Sequence, residues 1–228
     1  FFPNNDGFIM QGGGAGLCGQ SVLSRAEDTA DGLDFTEAGC SKAEGINLYQ
    51  HVAVNLDGGD YFVINSEFTS DSGSGNKVPR APFFERSTMK FSPLVFNGTE
   101  WTQKPAVVVD SPYEGDSVLS PSGQMVISRF AGPEGEALGF MLRRVQATPA
   151  GESYDIDISL PVQFICAPGA KMNISFDERW AVTHHYEDDT ANIYISDVLT
   201  GATTKVTNMP AGTKALFPHF RSDGWIYF

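Results

Sequence analysis

Cysteine is scarce in this chain, at three in 228 residues, which excludes a disulfide-dense scaffold. Cys18, Cys40 and Cys166 form no CxxC pair and no Cys/His cluster of zinc-ligand spacing. Cys18 and Cys40 flank a glycine- and aspartate-rich excursion, so they are the candidate disulfide, worth about 3 kcal/mol through loop closure. The alternative is two buried free thiols in a reducing compartment. Basic charge is also short: 15 Lys+Arg face 28 Asp+Glu, a net charge of −13. Such a surface repels polyanions and lacks the electrostatic term behind nonspecific nucleic-acid affinity, so nucleic acid is not an expected partner. It favours a divalent cation or a basic partner, and it keeps a secreted surface soluble.

No apolar stretch approaches the roughly 20 residues that cross a bilayer as a helix. No segment carries the helical apolar period with caps over several turns; Ser21 to Asp34 comes nearest, limited by Gly32 and Gly39. Nucleophile signatures are missing as well, with no GxSxG and no GxxxxGK[ST]. Gly12 to Gly16 lacks the lysine and following helix of a phosphate cradle and reads as a turn.

What the chain does have is 41% hydrophobic residues, 17 Phe and 7 Tyr, punctuated by 24 Gly and 13 Pro. That is the composition of short strands separated by turns. One hairpin recurs five times: a short apolar run, a tight Asp/Asn/Ser-Gly turn, then a β-branched or aromatic run. Its turns stand at Asn4-Asn5-Asp6-Gly7, Asp57-Gly58-Gly59, Ser120-Pro121-Ser122-Gly123, Ser175-Phe176-Asp177-Glu178 and Arg221-Ser222-Asp223-Gly224. Taking Gly7, Gly59, Gly123, Glu178 and Gly224 as equivalent, the spacings are 52, 64, 55 and 46 residues, the period of propeller blades. A blade buries both faces against its neighbours, and its first two strands need a turn that tolerates positive φ.

The expected fold is therefore an all-β propeller with four to five four-stranded antiparallel blades visible. Approximate blades are 1–45, 46–100, 101–150, 151–210 and a partial 211–228. Strand-like runs at Met89 to Phe96 and Ala106 to Val109 read as extra strands of the third unit, and Phe164 to Ile174 as the opening strand of the fourth. The segments Leu119-Ser120-Pro121-Ser122-Gly123 and Phe220-Arg221-Ser222-Asp223-Gly224, with the Asn192 to Asp197 strand and its Leu199-Thr200-Gly201 turn, resemble the blades of TolB-type, WD-repeat-like propellers. The resemblance implies a fold shared by scaffolds, receptors and enzyme domains alike. Because the last copy lacks its third and fourth strands, the reading expects a longer polypeptide or a partner chain to complete the ring.

Candidate ligands are few. Among the four histidines, His51 and His219 fall on the opening strands of their units, while His184 and His185 alternate to opposite faces of one strand. Neutral imidazole suits zinc or copper, yet no HxH or HExxH spacing is present. Asp57, Asp60, Asp188 and Asp189, with Asn4 to Gly7 and Asp155-Ile156-Asp157, read as acidic turns that offer calcium oxygen ligands, although none matches a twelve-residue calcium loop. Asp110, Glu114, Asp116 and Asp177 are the acids that a sugar-cleaving propeller could bring together. Of Arg143-Arg144, one arginine should face solvent or an acidic neighbour. No residue is assigned a catalytic role. The functional expectation is an extracytoplasmic propeller (periplasmic, cell-surface or secreted) that binds a protein partner without catalysis. The alternatives are a propeller domain of a carbohydrate-active or other hydrolase, and a metal-carrying surface protein.

Overall fold

The computed structural model describes residues 8–11, 21–24, 27–29, 32–34, 41–42, 50–56, 60–67, 87–96, 101–132 and 137–228, with side chains at 87–95, 102–132 and 138–228. Every regular element among the described residues is a strand. In chain order, β1 (Phe8–Gln11), β2 (Ser21–Ser24), β3 (Glu27–Thr29), β4 (Gly32–Asp34) and β5 (Ser41–Lys42) give a first sheet β1-β2-β5 and a small β3-β4 ladder. The Ser21 to Asp34 stretch thus contributes strands where the sequence offered a short helix. Its glycine and its lack of an apolar helical stripe leave nothing to hold one.

A second sheet, ordered β10-β8-β7-β6, comprises β6 (Gln50–Leu56), β7 (Asp60–Glu67), β8 (Thr88–Phe96) and β10 (Val107–Asp110), with β9 (Trp101–Gln103) pairing the far end of β8. A third sheet is β11 (Glu114–Leu119), β12 (Met125–Ala131), β13 (Ala137–Arg144) and β16 (Pro161–Ile165). The hairpin β14 (Gln146–Ala150) and β15 (Ser153–Asp157) interrupts it between β13 and β16. The fourth sheet is β17 (Ala170–Ile174), β18 (Trp180–Glu187), β19 (Thr190–Asp197) and β20 (Thr203–Lys205). A two-stranded hairpin, β21 (His219–Phe220) and β22 (Ile226–Tyr227), ends the described chain. All named pairings are antiparallel.

The fold is all-β with successive antiparallel blades, as expected, of which the third and fourth sheets have four strands, the second five and the first three among the described residues, but strand allocation differs from the sequence reading. The runs at Met89 to Phe96 and Ala106 to Val109 complete the second sheet, so it spans 50–110 and the third 114–165. Phe164 to Ile174 divides at Cys166 to Gly169 into the end of β16 and the start of β17. Asp155-Ile156-Asp157 is part of strand β15 rather than a turn.

What makes these sheets blades is the sorting of adjacent residues to opposite cores. Leu119 and Val126 join Met89, Phe91, Val145, Tyr154 and Ile158 between the second and third sheets. Their neighbours Val118 and Ile127 face the other way, into a core with Phe140, Leu142, Ile165, Met172, Ile174 and Ala181 between the third and fourth. Ala181 belongs to that core, while Val182 joins Ile193, Ala215 and Phe220 between the fourth sheet and the terminal hairpin. Period-2 alternation with apolar residues on both faces is the pattern of a sheet covered on both sides. Consecutive burial of Ala181, Val182, Thr183 and His184 in β18 shows it directly, against the half-exposed alternation along β10.

Candidate functional site

Three turns of the repeat share one hydrogen bond, although the last closes one residue sooner, with Arg221 N–H donating to Trp225 O where Ser120 and Ser175 N–H donate to Met125 O and Trp180 O. Gly123 N–H donates to Ser120 O (2.9 Å), Glu178 N–H to Ser175 O (2.9 Å) and Gly224 N–H to Arg221 O (2.9 Å). The donor residue in each is left-handed, at φ 72°, 58° and 88°. Glu178 therefore occupies a glycine position, a conformation that costs a side-chain-bearing residue roughly 1 kcal/mol. Its carboxylate supplies a compensation, since Oε1 accepts the Ser122 N–H of the preceding turn at 2.7 Å. In each turn the side chain just before the left-handed residue accepts a backbone N–H two positions on: Ser122 from Gln124, Asp177 from Arg179 and Asp223 from Trp225. Ser175 Oγ–H donates to Asp177, and these two bonds hold that carboxyl below its ordinary range.

A second repeat lies on the opening strands β11 and β17 and just ahead of β21. Asp116, Lys171 and Phe217 are left-handed, at φ 49°, 53° and 53°, and each stands seven residues before the left-handed turn residue of its unit. The first two sit at β-bulges, where register slips between Gly115 and Val118 and between Ala170 and Asn173. A bulge re-aims one side chain out of the alternation. Here it makes a continuous row. Lys171 Nζ donates to Asp116 Oδ1 at 3.1 Å, and Arg129 Nη1 stands 3.8 Å from Asp116 Oδ2. Arg129 Nε is buried without a hydrogen-bond partner.

His184 continues the row. It stands 13 residues after Lys171, as Arg129 does after Asp116. Buried to 3% exposure, its Nδ1 accepts the Phe217 N–H at 3.3 Å, and its ring meets those of Phe217 and Tyr186 edge-on at 5.5 Å. Burial, Lys171 and His185 together push its pKa below 6.5. The imidazole is thus kept neutral, as an acceptor at Nδ1 requires.

The remaining sequence candidates disperse. His185 lies on the opposite face of β18 against Tyr194, with ring centroids 6.0 Å apart. His219 is exposed and stacks on Tyr227. Asp188 and Asp189 are exposed in the β18–β19 turn, Asp188 at φ 52°. The side chains of His51 on β6 and Asp60 on β7, and all of Asp57, Cys18 and Cys40, lie outside the described residues. Among the described residues, no three His, Cys, Asp or Glu side chains gather in a metal-binding group. Beside the acidic turn, Glu187 accepts from Lys205 (2.6 Å), Tyr194 and Asn192 (3.2 Å), which lowers its pKa. Burial and the same carboxylate push the Tyr194 hydroxyl up to about 12.

The four acids considered for sugar cleavage are also separated in role. Asp116 is paired in the bulge row, and Asp177 is engaged within its turn. Glu114 is buried against Arg143, while Asp110 is exposed at the end of β10. Arg143 thus takes the acidic neighbour and Arg144 the solvent. The bulge row went unforeseen because a left-handed residue other than glycine has no composition signal. The shared spacings of 55 and 46 residues were the signal that could have found it.

No helix among the described residues is long and apolar enough to cross a membrane. No family model matches the chain, and no curated protein matches it in sequence. Among solved structures, it is similar to TolB from Acinetobacter baumannii at 7% identity and TM-score 0.39, over 96% of this chain and 55% of that one. A Bacteroides uniformis protein assigned as a 6-phosphogluconolactonase matches at 10% identity and TM-score 0.32, over 89% of this chain and 67% of that one. A Lactobacillus plantarum protein matches at 15% identity and TM-score 0.29, over 82% and 64%. The chain spans about half the length of the TolB structure. The blade assignment rests on strand pairing and interleaved cores.

Proposed function

We propose that this chain is an extracytoplasmic β-propeller module that acts by binding protein rather than by catalysis, and that its terminal hairpin is the point of attachment. One observation carries the reading. β21–β22 shares with β11–β12 and β17–β18 a left-handed residue seven positions before the left-handed turn residue and the same hydrogen bond inside the turn, although its ladder has no bulge and its turn is one residue shorter; among the described residues β12 and β18 each carry a third strand, while β22 pairs with β21 alone.

Among the described residues, no strand pairs with the outer edge of β22. Arg221 N–H donates to Trp225 O, and Phe220 lies opposite Ile226 in the next, non-hydrogen-bonded position. The Ile226 N–H and C=O therefore point away from β21. Val126 and Ala181 hold the corresponding places, and each pairs outward, with Arg143 and Ser196. Around this edge Trp225, Tyr227 and Phe228 are 72%, 47% and 59% exposed, a concentration of aromatic surface of the kind that marks interaction sites. In this reading a strand of the bound protein pairs antiparallel to β22.

A photo-crosslinking residue at Tyr227, with the same residue at exposed Leu199 as control, tests this in the producing cell. The expected result is one discrete adduct from position 227 that Ile226→Pro abolishes, since proline removes the outward N–H. Identical adducts from both positions, or adducts indifferent to proline, would refute strand addition.

A further inference from the structure

The geometry points to a binding cleft for an organic cation, a primary ammonium or guanidinium group, where the end of β10 meets the start of β11, the end of β13 and the connection after β15. The cleft encloses about 420 Å3, within the roughly 300–1,000 Å3 of small-molecule sites. It is separate from the bulge row and from the β22 edge, and it does not rest on strand addition.

Its floor is a buried charge pair with one acceptor left over. Glu114 is 1% exposed, and its Oε1 takes both Arg143 Nε at 2.7 Å and Nη2 at 2.6 Å. Oε2 of the same carboxylate is buried without a hydrogen-bond partner, and so is the hydroxyl of Ser111 on the same wall. A buried carboxylate oxygen left unpaired costs a full desolvation penalty, so this floor calls for a donor.

Charge selects which donor. Asp110 and Asp157 stand exposed at the rim, so three carboxylates face one guanidinium. That guanidinium is already occupied: beyond Glu114, its Nη1 leans on the carbonyl oxygens of Ile158 and Ser159 at 3.4 and 3.5 Å. An anion finds no free partner, whereas a cation meets carboxylates and carbonyl oxygens. A calcium ion fits less well, because it needs six to eight oxygens in one shell and these acids do not gather into a metal-binding group. An ammonium or guanidinium is satisfied by a few acceptors, as Lys and Arg side chains are. The same chemistry is offered by a free polyamine and by a basic side chain of a protein.

Calorimetric or NMR titration of the whole chain with agmatine and, separately, with a lysine-containing peptide tests the assignment. Saturable binding is expected for at least one, weakened about tenfold or more by D110N/D157N, which removes two rim charges without touching the buried pair. The tighter of the two probes identifies the source. Glu114→Gln should abolish binding. Should that variant fail to fold, the rim variant decides alone. The inference is overturned by the absence of saturable binding up to about 10 mM, by equal binding of the norleucine analogue of the peptide, by an unchanged affinity in D110N/D157N, or by calcium binding that agmatine does not compete.

Discussion

The hairpins β11–β12 and β21–β22 are one piece of local structure in two settings. Each has a left-handed residue seven positions before its turn glycine, on β11 in one and two residues ahead of β21 in the other, shares the hydrogen bond from that glycine's N–H to the carbonyl three residues back, and presents a large apolar residue just beyond the turn. In β12, Val126 and Ile127 enter different cores and are both fully buried. In β22, Ile226 touches one core while Trp225 and Tyr227 remain outside. Turn chemistry therefore makes the hairpin, whereas a third strand and a second packed face make it a blade. Burial belongs to the neighbours, and the terminal hairpin, with fewer of them among the described residues, keeps its aromatic side chains in water.

The comparison is broken most forcefully at Ile127 and Ile226. Truncating Ile127, at 0% exposure between the third and fourth sheets, should cost ~2–5 kcal/mol through lost transfer energy and the cavity left behind. The same change at Ile226 should cost about 1 kcal/mol, since part of its surface is already in water. Urea denaturation of the two Ile→Ala variants measures both. Equal losses would mean that β22 is covered as fully as β12.

The same contrast explains what the sequence could reveal. The three turns among the described residues were legible because Ser-Pro-Ser-Gly and Arg-Ser-Asp-Gly carry their backbone geometry in their own residues, and even Glu178 was placed by spacing, while those at Asn4 to Gly7 and Asp57 to Gly59 lie outside the described residues. The all-β class followed from short apolar runs between turns. Sheet membership was not legible: Thr88–Phe96 looks like any strand, and only its pairing with β7 assigns it to the second sheet. Nor was the Glu114–Arg143 cleft, since its two members meet across 29 residues. One arginine of the Arg143-Arg144 pair was expected to face solvent or an acidic neighbour, but spacing alone names neither the arginine nor the partner.

A smaller effect is expected from pH at His184. Its pKa is lowered in the folded chain by burial and by Lys171 and His185, so below about 6.5 the unfolded chain binds more protons than the folded one. Stability should therefore fall as pH drops from 6.5 toward the depressed folded value, by at most about 1.4 kcal/mol per pH unit, and then level off. Protonation also removes the acceptor for the Phe217 N–H and so loosens the link between the fourth sheet and the terminal hairpin. Denaturation midpoints at pH 7.5 and 5.5 should differ less in His184→Gln than in the parent. An identical pH slope in both would place the titration elsewhere.

The finest distinction concerns Glu178, which stands where the equivalent turns have Gly123 and Gly224. Glu178→Ala removes the acceptor for Ser122 N–H and keeps a Cβ in the left-handed region, so it should destabilise by about 1–2 kcal/mol. Glu178→Gly removes the same acceptor but relieves the backbone, recovering roughly 1 kcal/mol of that loss. The difference between the two variants isolates the conformational cost from the hydrogen bond. If alanine and glycine prove equally destabilising, the left-handed turn carries no strain at this position, and the carboxylate that ties one blade's turn to the next is the whole of the residue's contribution.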